Sequence, residues 1–395
     1  MVTSFLVFLL AYTLSQFFRA FLAVIAPELA RELGLSAADL GNISAVWFLV
    51  FALAQCPVGA ALDRIGARRT VPTLMLAAVA GSVLLANAGS RRDCIVAMGL
   101  IGLGCSPAYM GALYVFGRLF PPSRFALIAS VFLGLGSAGN LLGATPLAFA
   151  AREFGWRQTM LGVGGATLLS AVLVLLLVRD PPRADRPAGH QSLIGGLWEI
   201  MTIRALWPLF PVTATGYAII AGERGLWIGP YLADVHGLDP VTRGNIVLAM
   251  AIAMSVGALA YGPLDQWLGT RKWIVVTGNV VAGLGFLALW ATPKPPIGQL
   301  VALMSLIGGV GMTYAVLMAH GRAYFPDHLL GRGITFLNFL FIGGACVLQP
   351  LSGAYVDALQ QARLPPADIF ARLHLAFGVT LLAATAVYLF SQDKR

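Results

Sequence analysis

The sequence predicts an all-α membrane protein of twelve transmembrane helices arranged as two pseudo-symmetric six-helix bundles. Three observations carry this. Of 395 residues, 58% are hydrophobic and only 11% are charged, with a mean hydropathy of +0.81. A soluble domain carries roughly 25% charged residues. Apolar runs long enough to cross a bilayer, about 20 residues each, recur twelve times. The second half of the chain also repeats the first at an offset of 203 residues.

The runs fall at roughly residues 4–26, 43–61, 71–88, 94–116, 125–148 and 160–178, then at 206–232, 246–262, 273–290, 300–319, 333–356 and 375–390. The first begins without a basic stretch ahead of it and without a small-residue cleavage site behind it. It reads as a span and not as a signal peptide. Residues 179–204 are polar and carry Pro181, Pro182 and Pro187, so they read as a linker, and 192–203 could form a short interfacial helix. The expected organisation is a first bundle over 1–178, a linker over 179–204 and a second bundle over 205–395. Twelve spans bring both termini to one side. Of the 26 Lys and Arg residues, fifteen fall in the loops and termini of that side and nine on the other. Cytoplasmic loops are the basic ones, so both termini are expected in the cytoplasm of a cell or bacterial inner membrane.

The repeat is visible residue by residue. Pro27 corresponds to Pro230, Gly34 to Gly237, and Gly41-Asn42-Ile43 to Gly244-Asn245-Ile246. The same register carries Gly59 to Gly262, Gly66 to Gly269, Arg68 to Arg271 and Arg69 to Lys272. Six spans followed by a parallel copy of six is a transporter architecture.

Between the second and third runs lies Gly59–Arg69, GAALDRIGARR. Its glycines suit close approach and a sharp turn. Asp63 is an acceptor for the positive start of a neighbouring helix. Arg64, Arg68 and Arg69 favour the cytoplasmic face. This GxxxDRxGxRR pattern resembles the loop signature of the major facilitator superfamily of secondary transporters, and the resemblance extends over the whole chain. It implies alternating access around a midplane site, with the first, fourth, seventh and tenth spans lining the cavity. It also implies that Gly59, Asp63, Arg64, Gly66, Arg68 and Arg69 govern conformational exchange and do not touch the solute.

Charged groups inside a span cost about 2.5–3.5 kcal/mol on insertion scales. By the boundaries above, three lie well inside: Arg19 on the first span and Glu223 and Arg224 on the seventh. Every histidine is placed at a boundary or in a loop. The arginines carry a fork suited to carboxylate or phosphate. Glu223 is the expected proton carrier, because a desolvated carboxyl resists ionising. Arg19 can alternatively pair with Glu223 or reach toward the outer interface near Pro27. Adjacent Glu223 and Arg224 would point about 100° apart on a regular helix.

Polar and aromatic groups on the same four spans complete an expected substrate set: Gln16, Tyr109, Tyr217 and Tyr314, with Tyr12, Ser15, Ser106, Tyr114, Met312 and Thr313 close by. Gln16 shares a helix face with Arg19. Asn140 and Asn338, on the fifth and eleventh spans, are further candidates, and interhelical hydrogen bonding is their structural alternative. The reading is transport of a small organic solute of anionic character, with protons as coupling ion.

Alternatives follow from weaker signals. Proton antiport of amphipathic compounds is one, yet the fifth span keeps Gly139 and Gly143 while lacking the Gly-Pro and Gly-Gly of the family's antiporter signature. Copper uptake through Met250 and Met254 is another, since thioethers can bind Cu(I). That pair equally suits packing. A non-transporting membrane sensor is the reading from a different class. No HExxH, GxSxG or P-loop pattern appears, so neither an enzyme nor a cofactor is expected. The cysteines show no paired spacing for disulfide or metal. The net charge of +9 reports basic loops and not nucleic-acid binding. Expected partners are the solute, protons and membrane lipid, on a monomer.

Overall fold

The computed structural model describes residues 2–119, 128, 131–180, 200–325 and 330–393. Most of the expected linker, residues 181–199, lies outside the described residues. Among the described residues, twelve helices are long and apolar enough to cross a membrane. They are Val2–Ala20, Ala37–Gln55, Ala67–Ala86, Arg91–Gly117, Val131–Phe154 and Trp156–Leu177, then Arg204–Asp234, Pro240–Tyr261, Lys272–Ala291, Ile297–Arg322, Phe336–Gln361 and Pro366–Tyr388. They are named below as the first to twelfth spans. The chain forms two compact units, Met1–Arg186 with Leu238–Asn245, and Pro187–Gly237 with Ile246–Arg395.

Local chemistry sets the helix ends. In the first unit Ser36 and Asp39 form a capping box: Asp39 N–H donates to Ser36 Oγ at 3.2 Å, and Ser36 N–H donates to the Asp39 carboxylate at 3.0 Å. Two otherwise orphaned amides are satisfied this way. Helix Leu22–Leu33, after the first span, ends at Gly34, which takes φ 62° and donates to Ala30 O. In the second unit Gly237 takes φ 64° and donates to Ala233 O. Both glycine and acceptor keep the 203-residue register.

The two loop motifs are also held alike, each within its own unit. Asp180, just past the sixth span, accepts from the Arg68 amide at 2.9 Å, while Arg68 Nε donates to Leu175 O at 2.8 Å. Asp393, just past the twelfth, accepts from Thr270 Oγ1 and from the Arg271 and Lys272 amides. Each carboxylate thus sits at the positive start of a helix, where anions are favoured. Burial disfavours the Asp393 anion, but the Thr270, Lys272 and Arg271 hydrogen bonds outweigh it and hold the carboxyl below the usual aspartate range.

Gly66 carries the turn of the motif, at φ 96°, and an added Cβ would come within 2.2 Å of the Asp180 carboxylate. The expectation for Gly59 needs correcting. It lies inside the continuous helix Ala37–Ile65, it is exposed, and a Cβ there would meet nothing within 4 Å. The helix simply runs on to Gly66, so neither turn nor close approach is needed at Gly59. The Asp63 side chain lies outside the described residues.

The twelfth span also begins earlier than 375. Its helix starts at Pro366, where a missing N–H is harmless at the first turn. Asp368, Arg372 and His374 dilute the apolar run over that first part. His374 is therefore inside a span and fully buried, against the expectation that every histidine lies at an edge or in a loop.

Each unit clamps its first span against its fifth through one glycine. A Cβ on Gly139 would stand 1.9 Å from Thr13 O, and one on Gly344 would stand 1.8 Å from Ala214 O. Small residues permit this approach in membranes, where packing drives helix association. Gly139→Ala and Gly344→Ala should each destabilise by about 1–3 kcal/mol through overpacking. Thermal unfolding in detergent reads this, with Gly343→Ala, which meets nothing within 4 Å, as the unaffected control.

Candidate functional site

In the first unit the site is built on the first span. The Arg19 guanidinium lies 5.3 Å from the ring centres of both Trp47 and Phe51, which stack on one another at 5.0 Å and 14°. Gly102 lets the fourth span press on Trp47: a Cβ there would be 2.5 Å from Trp47 O. Arg19 Nε is buried with no hydrogen-bond partner, and no carboxylate pairs with Arg19 among the described residues. A desolvated cation–π contact is worth about 2 kcal/mol. That offsets only part of the insertion cost of about 2.5–3.5 kcal/mol.

One turn earlier, Gln16 is buried and its Oε1 has no partner, while Ser15 Oγ donates to Cys105 O at 3.3 Å. Further along the same helix Tyr12 meets Tyr109 at 5.2 Å and Phe132 at 5.2 Å. Asn140 is half-buried, one residue beyond the clamping glycine.

The second unit repeats the aromatic trio. Tyr217, Tyr314 and Phe341 come from its first, fourth and fifth spans, as Tyr12, Tyr109 and Phe132 do in the other. Both tyrosines are displaced by 205 residues. Phe341 lies 4.0 Å from Tyr217 and 3.7 Å from Tyr314, and Tyr314 OH donates to Asn338 Oδ1 at 2.9 Å. Asn338 thus belongs to an interhelical hydrogen bond, the structural alternative named for it above.

In the same register Arg224 falls on Arg19, but Glu223 falls on Phe18 and so has no acidic counterpart. Glu223 and Arg224 open a five-residue π-helix, Glu223–Trp227, in the middle of the seventh span. Such single π-turns recur at functional sites, because they alter side-chain directions within an otherwise regular helix. Both residues are buried, at 0% and 5% exposure. Glu223 Oε1 faces His374 Nε2 at 3.5 Å. Trp227 Nε1, in the same turn, donates to Ser352 Oγ at 2.9 Å.

Several contributors escaped sequence reasoning. His374 fell outside the expected span. Asn279, on the ninth span, is fully buried and donates to Val275 O at 2.9 Å and to Thr313 Oγ1 at 3.3 Å. Arg243, counted above as a loop cation, is 6% exposed and pairs with Glu28, both within the first unit. No sequence signal links two positions so far apart. Met250 and Met254 are buried against Gly308 of the tenth span, where an added Cβ would come within 2.9 and 3.0 Å of their side chains. This is helix packing.

A family model described as Major Facilitator Superfamily matches residues 8–346. The chain belongs to the Major Facilitator Superfamily. It is a multi-pass membrane transporter and not an enzyme. It is 24% identical to an uncharacterized transporter, YybO, of Bacillus subtilis, over 95% of this chain and 90% of that one. It is 24% identical to a gentisate transporter of Corynebacterium glutamicum, over 82% of this chain and 74% of that one. Its fold matches the crystal structure of a bacterial homolog of the human lysosomal transporter Spinster, with a TM-score of 0.79 at 18% identity, over 98% and 96% of the two chains.

The stacking of Arg19 is testable in this transporter by itself. A double-mutant cycle of Arg19→Gln with Trp47→Leu should show a coupling of about 0.5–2 kcal/mol in thermal stability. A coupling near zero would mean that the rings do not hold the cation.

Proposed function

We propose that this transporter moves a small organic anion across the membrane by alternating access, with proton coupling through Glu223. The observation that carries the reading is Arg19: a cation inside a membrane span, steadied on two aromatic rings, with a buried Nε that no described group accepts from. A carboxylate on the solute would supply the missing acceptor and the counter-charge. Arg's fork donates to both oxygens of such a group at once, a geometry that a lysine does not match.

Arg224 offers a second cation in the other unit. Gln16, Tyr109 and Asn140 of the first unit and Tyr217, Tyr314 and Asn338 of the second are the groups that would orient the remainder of the solute. The two ring trios suit an organic body with an apolar or planar face, since ring faces stack well on one another. The similarity to a transporter named for gentisate supports an organic acid as cargo.

Glu223 is assigned the proton because it is a fully buried carboxyl within the seventh span, in the π-turn that also holds Arg224. The loop from Gly66 to Arg69, with Asp63 before it, takes the role of controlling exchange between states. Both termini are assigned to the cytoplasm of a bacterial inner membrane, from the basic-loop count, and the working unit is a monomer.

Proteoliposomes test the reading with a panel of small radiolabelled carboxylates, gentisate included. Wild type should accumulate at least one of them on a pH gradient. Glu223→Gln should lose that accumulation and keep exchange of solute for solute, which needs no net proton movement. If none of the acids moves while neutral or cationic amphiphiles do, the anion reading fails. If Glu223→Gln still concentrates the acid on a pH gradient, the coupling role fails.

A further inference from the structure

Two titratable side chains of the second unit face each other with no solvent contact. Glu223 Oε1 and His374 Nε2 are 3.5 Å apart, and both residues are 0% exposed. Their other polar atoms, Glu223 Oε2 and His374 Nδ1, are buried without a hydrogen-bond partner. Tyr231 meets the His374 ring edge-on at 5.0 Å, and Phe286 of the ninth span lies 6.0 Å from it.

The groups facing this pair are few. Arg224 follows Glu223 in the chain and is buried. Tyr231 donates its hydroxyl to Pro293 O at 2.9 Å and touches His236 through its ring. Gln349 of the eleventh span, a neutral amide, packs near Gly222. Phe286 brings only an apolar ring from the ninth span. Asp234 and Arg372 are exposed.

Two buried polar groups with one contact between them are costly in any fixed ionisation state. A lone carboxylate in such surroundings is strongly disfavoured, and so is a lone imidazolium. With one proton between them the pair is neutral overall, whether the proton sits on the carboxyl oxygen or on Nε2. With none, the pair is a single negative charge beside Arg224. Groups this close titrate as a unit and not as two residues.

We propose that Glu223 and His374 form one proton-binding site within the second unit, in which His374 shares the coupling proton. Loading adds one proton from water and takes the pair from one negative charge to neutral. Unloading returns that proton to water, and no other bond is made or broken. The site lies on the seventh and twelfth spans. The proton is therefore held partly on a helix outside the six that carry the proposed solute contacts. The inference rests on the reading that Glu223 carries the coupling proton, and it adds the residue that completes the site.

Infrared difference spectroscopy of the purified full-length protein tests it without any solute. Lowering the pH should bring up a carboxylic acid band that is missing in Glu223→Gln. Isotope-labelled histidine should show imidazole modes that change over the same pH interval, identified by their shift in Glu223→Gln. In His374→Asn the carboxyl midpoint should move by about one pH unit or more, a tenfold change in proton affinity. A His374→Gln variant repeats the comparison if Asn does not fold. If neither folds, joint titration in the wild type decides. An unchanged midpoint in a folded His374 variant overturns the proposal. So does a carboxyl band that titrates while the imidazole modes stay silent. So does the absence of both a carboxylic acid band and any change in the imidazole modes over the whole pH range, which marks a fixed ion pair. Failure of the transport reading looks different: the pair titrates jointly, yet vesicles show no pH-driven accumulation.

Discussion

Arg19 is a half-buried charge in the last turn of the first span. In lipid, water is not there to solvate it, and each unsatisfied group costs several kcal/mol. The rings of Trp47 and Phe51 neutralise nothing, but both lie within cation–π distance of the guanidinium, 5.3 Å from each ring centre. The fourth span is drawn against Trp47 through Gly102, and the fifth against the first span through Gly139. The first unit thus holds a cation on two rings, with no carboxylate paired to it among the described residues. Had a carboxylate of the same unit met it, the charge would be spent on the fold. In the proposed reading, leaving it on aromatic faces keeps it available to an anionic solute.

The second unit shares the frame and part of the chemistry. Its aromatic trio, its glycine clamp and its capping aspartate all have counterparts in the first unit. Its ionisable residues are matched only in part: in the register of the tyrosines Arg224 falls on Arg19, while Glu223 falls on Phe18 and His374 on Leu169. Duplication accounts for what carries the fold. The unrepeated residues are the ones that insertion costs would have removed unless they served a purpose.

Much of this was legible in the sequence, because membrane spans and repeats are written in composition and spacing. Runs of about 20 apolar residues have one reading in lipid, and paired glycines such as Gly34 and Gly237 keep their left-handed turns in both halves. Arg19, Glu223 and Arg224 stood out for the same reason: charges are conspicuous in apolar runs. The misses have physical causes. His374 lies in the polar opening turns of the twelfth span, so a hydropathy window cut it off. Asp180 and Asp393 act through backbone amides of distant loops, and Arg243 through Glu28, contacts that no local pattern encodes. Gly59 was read as a turn because it belongs to a motif, but a glycine inside a helix needs no special backbone.

The most direct test of the central idea is equilibrium binding to purified protein at constant pH, without membranes or gradients. A carboxylate found to be transported should be titrated against wild type and Arg19→Gln, together with its uncharged amide, which has nearly the same shape. The account predicts that wild type binds the acid and not the amide, and that Arg19→Gln and Arg19→Lys lose the preference while remaining folded. Equal binding of acid and amide by wild type, or an undiminished preference in folded Arg19→Gln, would contradict it.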